Sequence, residues 1–175
     1  MPQIVLLGME AELKALPEEK RDAERRQRVD AWMDAGHGSC VLRKPSIANM
    51  VQGALLNFDS MRYRLLAWVV MPNHVHVLFD PIQGWSVTKI VAGWKKFTAR
   101  GICDDQRNSD GRPGGPVWHR EYWDRYIRGE RHFKRAVEYI HLNPVKAGLV
   151  GRAESWRWSS AYANREIGVP RDERR

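Results

Sequence analysis

Apolar positions along the chain fall into a few distinct patterns. From Glu10 to Asp34 they are sparse (Leu13, Leu16, Val29, Trp32, Met33) and set among charges, the spacing of a solvated helix that Pro17 breaks or restarts. Gly36-His37-Gly38-Ser39 reads as a turn. From Ile47 to Phe58 apolar residues recur at three- and four-residue steps through Met50, Val51, Ala54 and Leu55, which predicts an amphipathic helix with Ser46 placed to cap it. Tyr63 to Val70 is rich in β-formers, and His74 to Phe79 alternates polar and apolar. Met71-Pro72-Asn73 between them suits a turn, so the pair predicts a β-hairpin. Helical spacing returns from Trp85 to Gly101 through Ile90, Val91, Trp94 and Phe97. Asp104 to Pro116 reads as a Gly/Pro/Asp/Asn-rich loop, and Val117 to Ile127 as a short strand. Arg131 to Leu142 is a helix that Asn143-Pro144 should stop. That order predicts an α+β fold, an antiparallel sheet with helices on one face.

Composition adds bounds rather than a function. At 175 residues, 43% hydrophobic and 29% charged, the chain suits one globular domain with a core that needs no staple. Cys40 and Cys103 are isolated, without zinc-ribbon spacing, and suit a reducing compartment. The apolar run from Leu65 to Met71 is far too short to span a membrane, and no secretory leader is legible. A cytoplasmic protein is expected.

Charge changes the picture. Residues 1–85 hold 10 Lys/Arg and 10 Asp/Glu, whereas residues 86–160 hold 15 and 8, so nearly all of the net +8 sits in one stretch. Trp94, Trp118, Trp123, Trp156 and Trp158 lie in the same stretch. Cations for phosphates interleaved with rings for bases suit single-stranded nucleic acid, although a basic surface over an aromatic core has the same composition. Lys95, Lys96 and Arg100 on one helix, with Arg120, Arg125 and Lys146, are the candidate backbone contacts.

Two constellations could carry chemistry. His74 and His76 are two apart on a strand, so both imidazoles point the same way with roots about 6–7 Å apart and can converge on one divalent cation. Mg²⁺, with Mn²⁺ as substitute, accepts imidazole together with oxygen. Alone, the pair is equally two histidines on a half-exposed strand. On the last long helix, Phe133, Ala136, Val137 and Ile140 define a buried arc, and Tyr139 and Asn143 stack one turn apart beside it. Asn143 offers an amide oxygen as a third ligand, and Tyr139 a phenol that a nearby cation could activate. The plain alternative is a packed tyrosine and a helix-ending asparagine.

Three ordered segments carry a resemblance: Val69 to His76 (VVMPNHVH), Tyr139 to Val150 (YIHLNPVKAGLV) and Trp156 to Ala161 (WRWSSA). Together they resemble the REP-associated tyrosine transposases, within the HUH single-tyrosine transposases, over about Asp34 to Ala161. The resemblance implies a ferredoxin-like fold and metal-dependent cleavage and rejoining of single-stranded DNA at hairpin-bearing repeats. His74 and His76 match the HUH pair, Tyr139 the nucleophile that forms a 5′-phosphotyrosine bond, and Asn143 the polar residue one turn later. No nucleotide cofactor is expected, and the family works as monomers or dimers. Three segments are expected: a helical one over 1–35, read from its charge spacing, the HUH domain over 36–162 and a tail over 163–175. Similar proteins open with a central strand, for which Met1-Pro2-Gln3-Ile4 offers no clear counterpart, so the sheet is expected to lack it. Gln3 to Leu7 is at most a short strand, and residues 1–35 are expected to be mainly helical. Two other readings remain open at this point: a hairpin-binding protein that has lost cleavage, and a metal-dependent hydrolase of small substrates.

Overall fold

The computed structural model describes residues 17–110, 116–119, 122 and 124–167. Among the described residues five helices surround one hairpin: α1 Glu18–Asp34, α2 Pro45–Leu56, β1 Tyr63–Val70, β2 Val75–Pro81, α3 Val87–Asp110, α4 Glu130–Lys146 and α5 Ser160–Ile167. Short 3₁₀ turns lie at Val41–Arg43 and Ala153–Ser155. The α+β class and the antiparallel hairpin are as expected, and β1 and β2 form a two-stranded sheet. Gln3 to Leu7 lies outside the described residues. No helix among the described residues is long and apolar enough to cross a membrane.

Local chemistry explains each start and stop. α1 begins directly after Pro17, as the proline break predicts, and ends before Gly36 and Gly38, which turn the chain at φ of 80° and 94°. α2 begins two residues earlier than a Ser46 cap would place it, with Pro45 at the first helical position, where its missing N–H costs nothing. α3 runs past Gly101 to Asp110, so Asp104 to Asp110, expected as loop, is helical. Val117 to Ile127 forms no strand among its described residues.

α4 corrects the most consequential expectation. Pro144 lies inside the helix instead of ending it, and the last turn closes beyond it with the Ala147 amide donating to the Asn143 carbonyl at 3.0 Å. Pro144 denies the Ile140 carbonyl its usual partner, a cost of about 3 kcal/mol in an open helix, but its ring is fully buried and packing offsets that. Gly148, at φ 67°, then turns the chain out. Asn143 therefore keeps helical geometry, one turn after Tyr139.

Helices cover both faces of the hairpin, where element order suggested one. The reason is in β1, whose run from Leu65 to Met71 is apolar on both sides and so must be covered twice. Trp68 and Val70 pack with Ile47, Val51 and Leu55 of α2 and Ile102 of α3. Ala67, Val69 and Met71 pack on the other face with Ile140 of α4. A bulge between Leu65 and Ala67 shifts the register, so Tyr63 and Leu65 join the α2 side although they are odd-numbered.

The outer edge of β1 is closed by the segment that enters α5. The Val70 amide donates to the Trp158 carbonyl at 2.8 Å, and the Trp68 amide to Ser160 Oγ at 3.0 Å. His141 Nε2 lies 2.8 Å from the same hydroxyl. Ser160→Ala should leave the buried Trp68 amide without a partner and lower stability by about 1–3 kcal/mol. The check is a denaturant midpoint that falls while the slope stays unchanged.

Candidate active site

His74, His76 and Leu78 alternate onto the side of the sheet that α4 covers, which brings the histidines to the helix carrying Tyr139 and Asn143. Asn73, in the hairpin turn, sets the first histidine. Its Nδ2 donates to the carbonyls of Met33 at 2.8 Å and His37 at 2.7 Å, so both amide hydrogens are used. Its Oδ1 then faces His74 Nδ1 at 2.8 Å and can only accept, so Nδ1 carries a proton. The other ring nitrogen of His74, Nε2, is turned to the site.

That nitrogen points at two further donors. His76 Nε2 is 3.1 Å away, with the two rings edge to face at 4.7 Å, and Asp34 Oδ1 is 3.4 Å away. Burial first, and repulsion from His74 second, push the His76 imidazole down to about 3, so it is neutral at physiological pH. Burial raises the Asp34 carboxyl, but the His74 hydrogen bond, the two imidazoles and the Asn143 amide outweigh it and leave the group below the usual carboxylate range. Asn143 Nδ2 approaches Asp34 Oδ1 at 3.4 Å, while the buried Asn143 Oδ1 has no partner among the described residues.

The donor set fits a divalent cation. Asp34, His74 and His76 each offer one ligand atom, all within 4.8 Å of one another. Lone pairs so close to a carboxylate repel unless a proton or a cation lies between them. Asp34 is the residue that sequence reasoning missed, since a carboxylate ending a charged helix reads like any solvated charge. Its only sequence signal is its place two residues before the Gly36–Ser39 turn.

Tyr139 is half-buried, with its ring edge to face on His76 at 5.1 Å. Exposed Lys146 places its Nζ over the face of the tyrosine ring, 5.2 Å from its centre. Lys95 Nζ donates to the His119 carbonyl at 2.7 Å and lies over the Tyr122 ring, and burial lowers its pKa. Lys96 and Arg100 are exposed and line an open groove along α3 with Phe97 and Met50. Arg125 is exposed, and Arg120 lies outside the described residues.

Fold and site together define an α+β protein in which two histidines and an aspartate converge beside a tyrosine ring. The profile of the family described as "Transposase IS200 like" matches residues 43–143, more than half the chain. The chain belongs to the IS200-like transposase family. It is 28% identical over 129 residues to a REP-associated tyrosine transposase of Escherichia coli (strain K12), covering 69% of this chain and 68% of that one. It is 26% identical over 105 residues to a putative REP-associated tyrosine transposase of Haemophilus influenzae, covering 57% of this chain and 60% of the relative. In fold it is similar to a REP-associated tyrosine transposase solved with a REP hairpin, at TM-score 0.58 and 24% identity, over 75% of this chain and 73% of that one.

Proposed function

We propose that this protein cleaves and rejoins single-stranded DNA at hairpin-bearing repeats, with Tyr139 as the nucleophile. The observation that carries the reading is the Tyr139 ring lying against His76, one of two histidines that converge with Asp34. Tyr139 Oη loses its proton, bonds to phosphorus and displaces the 3′-oxygen, leaving a 5′-phosphotyrosine and a free 3′-hydroxyl. Attack by a 3′-hydroxyl reverses the step and restores the phenol. The ester bond is exchanged rather than hydrolysed, so no nucleotide cofactor is needed.

A free phenol ionises near 10, so at neutral pH it needs help. The Lys146 ammonium lies over the ring face and adds positive charge beside the incoming phosphate. A bound Mg²⁺ or Mn²⁺, held by His74, His76 and Asn143, would supply Lewis-acid polarisation of the phosphate oxygen. The hairpin as partner is supported by the REP hairpin in the similar solved structure. The test is incubation with a labelled hairpin oligonucleotide and Mn²⁺, followed by denaturation. A labelled protein band is expected. Binding without that band would leave a hairpin-holding protein, and release of phosphate from small esters without it would leave a hydrolase.

The grip on the backbone is assigned to Lys96, Arg100, Arg120 and Arg125. Lys96 and Arg100 flank the exposed Phe97 ring, which suits a base between two phosphates. Neutralising Lys96, Arg100 and Arg125 together should weaken binding to all sequences and reduce the salt slope by roughly 0.7–0.9 for each phosphate that is no longer neutralised. An unchanged slope would mean an ordinary solvated face.

A further inference from the structure

α1 is highly charged, yet its last turn is held firmly. Asn73 takes the Met33 and His37 carbonyls, and the Trp32 ring stacks on His37 at 5.0 Å. The clasp fixes the end of α1 against the hairpin turn, and it fixes Asp34 with it. The same asparagine orients His74, so one side chain sets both the imidazole and the carboxylate that faces it. Asp34 also stands at the helix C-terminus, where backbone carbonyls add negative potential that favours a cation. Asn143 approaches the carboxylate through Nδ2, as a supporting donor does behind a ligating carboxylate.

We propose that Asp34 is a direct ligand of the metal, supplying a carboxylate from α1 to the two imidazoles, so that metal binding ties α1 to the catalytic sheet. The inference rests on the metal reading above and deepens it. With Asp34 the set is two nitrogens and one anionic oxygen, a mixed donor set that would hold a divalent cation and leave it able to take substrate oxygens. Asn143 then has two available roles, through Nδ2 to the carboxylate or through Oδ1 to the ion, and neither is needed for Asp34 to ligate.

The test is Mn²⁺ binding to the full chain without DNA, by calorimetry and by loss of the free Mn²⁺ electron-spin signal. Asp34→Asn keeps the shape and removes the charge, and it should weaken Mn²⁺ at least about tenfold, as losing a charged ligand does. Mn²⁺ should raise the melting temperature of the wild type and do so much less in the variant. Affinity unchanged in a folded Asp34→Asn would overturn the assignment while leaving the metal reading intact. Failure of the wild type to bind Mn²⁺ would overturn both. A second measurement needs no variant: trypsin cleavage after Arg21, Arg25 and Arg28 of α1 should slow when Mn²⁺ is added, and in His76→Ala it should not. Equal cleavage of Mn²⁺-loaded and Mn²⁺-free wild type would count against Asp34.

Discussion

Tyr139→Phe yields no covalent protein–DNA band. Phenylalanine keeps the ring that meets His76 edge to face and that Lys146 overlies, so the site should hold its shape. What it removes is the oxygen proposed to bond to phosphorus, and no other atom on the ring can replace it. Loss of a nucleophile of this kind lowers turnover by about 10³-fold or more, here below detection on a denaturing gel. Hairpin affinity should change by less than about twofold, because phosphate contacts position the strand and the phenol does not. A labelled band of wild-type intensity in Tyr139→Phe would place the nucleophile elsewhere.

His76→Ala should lower cleavage by on the order of 10³-fold and leave hairpin affinity within about threefold. His76 is the cleaner of the two histidines to change. His74 is tied through Asn73 to the end of α1, so its loss also loosens the hairpin turn. The His76 imidazole is kept neutral by burial, with a pKa of about 3, so its lone pair stays available across the working pH range. Its removal should abolish the thermal shift given by Mn²⁺, and chelation by EDTA should silence the wild type equally. Cleavage that survives EDTA would remove the metal from the mechanism.

Much of this architecture is legible in the residues. Helical spacing located α2, α3 and α4, and Pro72-Asn73 between two β-rich runs located the hairpin. The errors have physical causes. Pro144 normally stops a helix, but a fully buried ring can keep it inside one. Asp104 to Asp110 carries loop-like residues, yet Lys44 bonds both Asp105 carboxylate oxygens and holds that turn of α3 to the start of α2. The continuous apolar run in β1 did signal cover on both faces, and element order alone obscured it. At the site, short-range spacing joined His74 to His76 and Tyr139 to Asn143. Asp34 was hidden because its partnership exists only across the fold.

The bonds that finish the site have a consequence for how the chain is made. Asn143 meets Asp34 across 109 positions, Trp158 meets Asn49 across 109, and Ser160 meets Trp68 across 92. Each closes a loop of about a hundred residues, an entropic toll that nothing local repays in advance. A nascent chain can form the hairpin and bring its histidines together long before Tyr139 has left the ribosome. Neither the proposed nucleophile nor the Ser160 lock on the strand edge exists at that stage. The order of synthesis thus keeps the proposed DNA-cutting centre unassembled until almost the whole domain has emerged.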